Sequence, residues 1–179
     1  MYTSEEIMKA FGPFTPPETV DAGFIQQSIQ EIQLFPSVLE AFFRKLSPEQ
    51  HDARYREEGW TIRQVIHHLA DSHMQAFSRF KLALTEDRPV IKPYIQDLWA
   101  ETNDSLYADP EISVQLLKAL HARFTILLKN IEPEDFERIY IHPEYNREYK
   151  LWQVLGLYAW HGKHHYTQIA RYASNQGWV

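Results

Sequence analysis

Three of the nine histidines fall within five residues in the stretch LYAWHGKHHYTQIARYA, at His161, His164 and His165. Written on a helix, Val154, Tyr158, His161, His165, Gln168 and Tyr172 step by four and three along one face. Leu155 and Ile169 flank that face and mark it as inward. One turn separates His161 from His165, so their Cβ atoms lie about 6 Å apart. Two imidazoles at that spacing can converge on one metal ion. Burying two neutral imidazoles also demands partners for four ring nitrogens, at a cost of about 1–3 kcal/mol for each one left unpaired. A metal satisfies one nitrogen on each ring. The helix of zinc proteases uses the same spacing with a glutamate after the first histidine. Here the intervening residues are Gly162, Lys163 and His164, so that motif is absent.

A reactive zinc-like site with an open position takes three protein ligands. GWTIRQVIHHLADSH supplies three candidates for the third, His67, His68 and His73. Val65, His68, Leu69 and Ser72 share a side with Thr61, whereas His67 sits about 100° away, toward Arg63 and Gln64. His73 is five residues from His68, so a regular helix cannot aim both at one ion. His68 fits best. His67, His73 and His164 read as polar-face or supporting residues, and His51, His121 and His142 lie apart in sequence and receive no role. Asp71, one turn from His68, reads either as a support for an imidazole N–H or as an exposed charge. Arg63, Gln64, Tyr158 and Gln168 are candidates to line a pocket.

Four long helices must position these residues. The first runs from about Pro17 to Leu46, with Ile25, Ile29, Ile32, Leu39, Phe42, Phe43 and Leu46 along one face and Pro36 predicting a kink. The second begins at a capping box formed by Thr61 and Gln64 and continues to about Thr85. The third opens on ADPEIS, where Asp109 suits the cap, Pro110 the first turn and Glu111 the positive end of the dipole. Its stripe reads Leu116, Leu120, Phe124, Leu127 and Ile131. The fourth runs from about Leu151 to Asn175, with Gly177 just past its end. Residues 1 to 17, with FGPFTPP, read as an irregular arm.

The connections carry further information. About 22 residues separate the second and third helices, enough chain to span about 70 Å. The second helix, at about 24 residues, is about 36 Å long. The connection can therefore return along the bundle and set the third helix parallel to the second. Between the third and fourth helices, RIYIHPEYNREYKL alternates β-branched and aromatic residues around a Pro and an Asn, which predicts a small hairpin. The fold class is all-α, a four-helix bundle with a long crossover, read as a single domain over residues 1–179.

The composition bounds the chemistry. The 179 residues are 44% hydrophobic and 23% charged, with a formal net charge of −6 and a pI near 5.8. That acidity disfavours a general nucleic-acid or anionic-membrane binder. With no cysteine, a disulfide, a protein thiolate nucleophile and a cysteine-ligated metal are excluded. The start, MYTSEEIMKAF, has no basic region followed by an apolar run, and no stretch reaches the 18 apolar residues of a membrane span. A cytoplasmic location is expected.

GWTIRQVIHHLADSH, RFKLALTED, Pro93 with Tyr94, and LYAWHGKHH together resemble the DinB/YfiT-like family over nearly the whole chain, least so in the first 40 residues. The family pattern is a tryptophan, a histidine eight residues on and before a leucine, and a later histidine pair four apart. Those positions are Trp60, His68, and His161 with His165. The resemblance implies a bundle with crossover topology, a three-histidine site for zinc or nickel with one ion per chain, and a homodimer. It also implies a small-molecule substrate. Two activities come with it: metal-dependent hydrolysis, and transfer to or from a low-molecular-weight thiol of the bacillithiol type acting as co-substrate. Readings from other classes are a non-catalytic, metal-stabilised bundle and an interaction module docking through FGPFTPP. Structural zinc sites usually use four protein ligands, which disfavours the former.

Overall fold

The computed structural model describes residues 3–9 and 12–179, so Phe11 of the FGPFTPP segment lies outside the described residues. The N-terminal arm is not wholly irregular. It holds a short helix, α1 (Ser4–Met8), closed at its start by a reciprocal capping box between Thr3 and Glu6. The first long helix, α2 (Ala22–Phe43), starts five residues later than Pro17. The Asp21 carboxylate there accepts the Phe24 N–H at 2.7 Å, satisfying one donor of the first turn. The helix runs on through Pro36 and ends at Phe43, after which a single turn, α3 (Pro48–His51), follows.

The second long helix, α4 (Ile62–Thr85), begins as its capping box requires. Gln64 N–H donates to Thr61 Oγ1 at 3.1 Å and Thr61 N–H donates to Gln64 Oε1 at 2.9 Å. The crossover that follows contains two more short helices, α5 (Gln96–Ala100) and α6 (Asn103–Tyr107). The third long helix, α7 (Pro110–Lys129), carries the expected Asp109 cap and Pro110 in its first turn. A 3-10 turn over Pro133–Glu137 leads to the hairpin, β1 (Ile139–His142) paired antiparallel with β2 (Arg147–Lys150), Ile139 opposite Lys150 and His142 opposite Arg147. The last helix, α8 (Leu151–Asn175), has the expected bounds, and Gly177 just beyond it adopts φ +70°, the left-handed conformation that glycine takes without a Cβ penalty.

Side-chain contacts fix the directions of the helices. His67 meets Ser113, His73 meets His121 and Phe80 meets Phe124, so α4 and α7 run parallel. Phe24 packs on Trp152 and Phe42 on Tyr166, so α2 and α8 run parallel as well. His68 meets His161 while Arg79 meets Tyr158, so α4 and α8 are antiparallel. The molecule is a four-helix bundle whose long crossover returns the chain to the starting end before α7.

One face is rotated from the sequence reading. On α7 the buried side chains are Val114, Leu117, His121, Phe124 and Leu128, while Leu116 is 43% exposed. The stripe of Leu116, Leu120, Phe124, Leu127 and Ile131 is therefore displaced by about one residue. The cause is His121, a polar residue at the centre of the buried face. Counting it as apolar restores the phase.

Candidate metal centre

Two of the long helices carry the histidines inward. His68 lies on a stretch of α4, residues 62 to 70, buried almost all round apart from Arg63, and Trp60 packs its ring against it at a centroid distance of 4.7 Å. His161 and His165 lie one turn apart on α8. Gly162 lets α8 approach α2 there, since a Cβ at that position would stand 3.1 Å from the Phe35 ring. One ring nitrogen from each of His68, His161 and His165 falls within 4.8 Å of the others. Among the described residues no other group of three or more histidine or carboxylate donors is so disposed. His68 Nε2 stands 3.3 Å from His161 Nε2. His68 is buried, and His161 and His165 are half-buried.

Burial penalises the imidazolium form. It pulls His68 down to about 4. It also holds His161 and His165 well below the usual histidine range, with the neighbouring imidazoles adding to the effect. All three rings are therefore neutral at neutral pH, the form that offers a lone pair to a metal.

Behind His161 runs a file of buried rings. His161 Nδ1 is 3.4 Å from His73 Nε2, His73 Nδ1 is 2.9 Å from His121 Nε2, and His121 Nδ1 is 2.6 Å from the Ile32 carbonyl. Phe35 covers the file, stacked on His73 at 5.8 Å and tilted against His121 at 5.9 Å. Burial holds His73 well below its usual value and brings His121 to about 4, so both are neutral. A carbonyl only accepts, so His121 Nδ1 carries the proton and its Nε2 is bare. His73 Nδ1 must then donate, which leaves His73 Nε2 bare to accept from His161 Nδ1. The chain ends with a bare Nε2 on His161, aimed at His68. The Ile32 carbonyl thereby fixes the tautomer of a ring on another helix.

The other sequence candidates divide. His67 ties α4 to α7, with Nδ1 2.7 Å from Ser113 Oγ and Nε2 3.3 Å from the Ala108 carbonyl. His164 stacks on Trp160. Arg63 and Gln64 hold the crossover: Arg63 donates to Asp52 and to the Ala108 carbonyl, and Gln64 donates to the Ala100 carbonyl. Gln168 is buried and reaches His165. Asp71 is half-buried and hydrogen-bonds no imidazole among the described residues. Burial, then the Asp104 carboxylate, pushes its carboxyl up to about 6. Sequence reasoning gave His121 no role and left His73 as a polar-face or supporting residue. The signal for both was their coincidence with apolar positions, His73 between Leu69 and Ala76, His121 between Leu117 and Phe124.

A cavity of about 480 Å³ opens onto His161, between the hairpin, the start of the crossover, α4 and α8. Tyr94, Tyr140, Tyr149, Tyr158, His142 and Arg79 stand in its wall. The donor set suits a divalent ion. A bare nitrogen on each ring offers a lone pair, and three neutral imidazoles bring no charge, so they leave the full charge of the ion uncompensated.

The fold and the histidine set define a four-helix bundle with three convergent imidazoles at its core. The model of the DinB superfamily matches residues 31–169, and the chain belongs to that superfamily. It is 40% identical over 176 residues to the protein named "Putative metal-dependent hydrolase YfiT" of Bacillus subtilis, covering 98% of this chain and 99% of that one. A relative from Oceanobacillus iheyensis with the same descriptive name is 48% identical over 155 residues, covering 86% of this chain and 88% of its own. The solved structure of the B. subtilis protein, described as a "probable metal-dependent hydrolase with an unusual four-helix bundle topology", superposes with a TM-score of 0.94 at 39% identity, covering 97% of this chain and 99% of that one.

Proposed function

We propose that the protein is a metal-dependent enzyme in which His68, His161 and His165 hold one divalent ion, zinc or nickel, and that it hydrolyses a small molecule. The observation that carries this is the convergence of three neutral imidazole nitrogens within 4.8 Å beside a cavity large enough for a substrate. Bound there, such an ion is a Lewis acid that lowers the pKa of a coordinated water or thiol. His161 is held in the metal-binding tautomer by His73, His121 and the Ile32 carbonyl. Trp60 fixes the His68 ring and shields it. Tyr158, packed at 5.7 Å on His161, stands beside it in the cavity wall. Asp71, with its carboxyl near 6, is a group able to hold or release a proton close to neutral pH.

A second reading uses the same site for S-transfer from a low-molecular-weight thiol. The observation favouring it is that residues 162–164 between the two α8 histidines bring no carboxylate, while a thiol starts near pKa 8.5 and needs little help to ionise. The chain has no cysteine, so the thiol would come from solution. The test is metal analysis of the purified protein, followed by esters and amides without thiol, and epoxides and chloro-aromatics with and without bacillithiol or glutathione. Metal-dependent turnover without thiol supports hydrolysis, and turnover requiring both supports transfer. Absence of metal-dependent turnover in both arms overturns the enzymatic reading.

A further inference from the structure

Arg79 is the one guanidinium in the wall of the histidine-bearing cavity. It lies on α4 with 9% of its surface exposed. Charged side chains are almost never buried to that degree without an opposite charge. No carboxylate among the described residues forms an ion pair with it. Its polar partners are two neutral phenols: Nη1 donates to the Tyr158 hydroxyl at 3.4 Å, and Tyr140 hydrogen-bonds it while lying with its ring 5.9 Å from the guanidinium carbon. Its Nε–H is buried without a partner. A guanidinium carries five N–H donors in a rigid fork. Most of that capacity is unused in the protein: Nε–H is sealed in the wall, and the terminal nitrogens are the part of the fork left to meet a ligand in the cavity that Arg79 lines.

The charge is also felt. His142, in the same wall, is held below its usual value first by burial and then by Arg79. Arg79 is therefore the cation that this wall offers to a ligand. Asp97 and Glu144 stand in its wall as exposed acidic groups. A planar carboxylate matches the fork with two parallel hydrogen bonds and brings one negative charge. A phosphate dianion would meet a single cation and the repulsion of the two acids, so the carboxylate is favoured.

The position of Arg79 relates the anion to the histidines. Tyr158 touches Arg79 through its hydroxyl and packs its ring on His161. One tyrosine side chain thus separates the anion site from the triad. We propose that Arg79 binds a carboxylate of the substrate, so that the enzyme acts on small carboxylic acids held by that group while the bond to be broken lies at the histidines. Where the reacting bond lies rests on the metal-centre reading. The binding of a carboxylate by Arg79 does not.

The probes are benzoate, benzamide and phenyl phosphate, titrated calorimetrically into the purified full-length protein and into its R79M, R79K and H161A variants. The unaltered protein should bind benzoate roughly 10- to 100-fold tighter than benzamide, the range expected of a charge-assisted hydrogen-bonded pair. Equal binding of the two overturns the proposal whatever the variants do. R79M should lose that preference, and R79K, which keeps a charge but not the fork, should retain only part of it. H161A should keep the preference for benzoate. Loss of benzoate binding in H161A with retention in R79M would mean that the histidines, not Arg79, hold the acid, and would overturn the proposal while leaving the metal centre standing. Tighter binding of phenyl phosphate than of benzoate would overturn the carboxylate class. If R79M does not fold, judged by far-UV circular dichroism, the benzoate-to-benzamide ratio and R79K still decide.

Discussion

Two hollows in this bundle differ in the way that matters for function. The larger, about 760 Å³, lies between α2, the end of α7 and the 3-10 turn, and Ile25, Ile29, Leu128, Ile131 and Phe136 provide its apolar wall. The smaller, about 480 Å³, is walled by tyrosines, an unpaired arginine and His161. The first has volume without chemistry. Its polar neighbours are glutamines and exposed charges such as Gln26, Gln30 and Lys129, which water already satisfies. In the second, buried groups are held in states that need a ligand: neutral imidazoles with bare nitrogens and a guanidinium without an anion. Size alone would have chosen the wrong hollow.

The most severe test of that contrast is His161→Ala. It should remove the ion, falling from near-stoichiometric content to background by elemental analysis, while His164→Ala keeps it. Full occupancy in the His161 variant would dissolve the assignment of the triad.

A step smaller is the file of rings behind the triad. His121→Leu removes the acceptor that orients His73 and, through it, His161. Metal affinity should fall about 10- to 100-fold, the usual cost of losing an outer-sphere hydrogen bond to a ligand, as read by competition with a chelator. NMR of histidine nitrogens in the metal-free wild type should show His161 protonated at Nδ1 and bare at Nε2. A mixture of tautomers there would mean that the Ile32 carbonyl does not control the ring.

Acid should weaken the metal-free protein. His68 and His121 have folded-state values of about 4, against 6.5 for the free side chain. The unfolded chain thus binds protons more readily than the folded one below pH 6.5. Stability should fall as pH drops from about 6.5 to 4 and level off below that. Denaturant midpoints measured across pH 4–8 after chelation check the sign. Chelation at neutral pH should lower the melting temperature yet leave the helical signal at 25 °C, because two apolar clusters, one around Leu39, Leu69 and Leu117 and one around Phe80, Phe124 and Leu155, do not depend on the ion.

The smallest effect belongs to the larger hollow. Ile25→Gln, at a half-buried position in its wall, should leave metal content and turnover within about twofold of wild type. A large loss of turnover without loss of stability would mean that the apolar groove takes part in function after all.

How much of this was legible before the structure depended on whether the signal was local. Caps are local. Thr61 with Gln64, and Asp109 with Pro110, announce α4 and α7 to the residue, and Gly177 announces the end of α8. Thr3 and Glu6 carry the same signature for α1, but a helix of five residues has too few positions to show a periodic stripe, and FGPFTPP follows closely. The convergence of His68, His161 and His165 was legible too, because a four-residue spacing on one helix and the side that His68 shares with Thr61, Val65 and Leu69 on another suffice. The file of His73 and His121 was not, since the rule that polar residues point outward excludes both. Arg79 was still less visible. A guanidinium gives no sign in sequence that its counter-charge is missing, because what is missing lies across α8 and the hairpin.

The parallel pairing of α4 with α7, and of α2 with α8, bears on how the chain folds. The neighbours of α2 are α7 and α8, while α4 leans on α7 and α8. These four pairings of long helices all join distant stretches of sequence, an unusual burden for a helical protein, and folding should be slow for its class because loops must close before contacts reward them. His68 is separated from His161 by 93 residues. The three rings of the triad therefore come together only once α8 has docked on α4, and no local turn can assemble them. Any probe that senses the three rings at once reads the docking of those two helices.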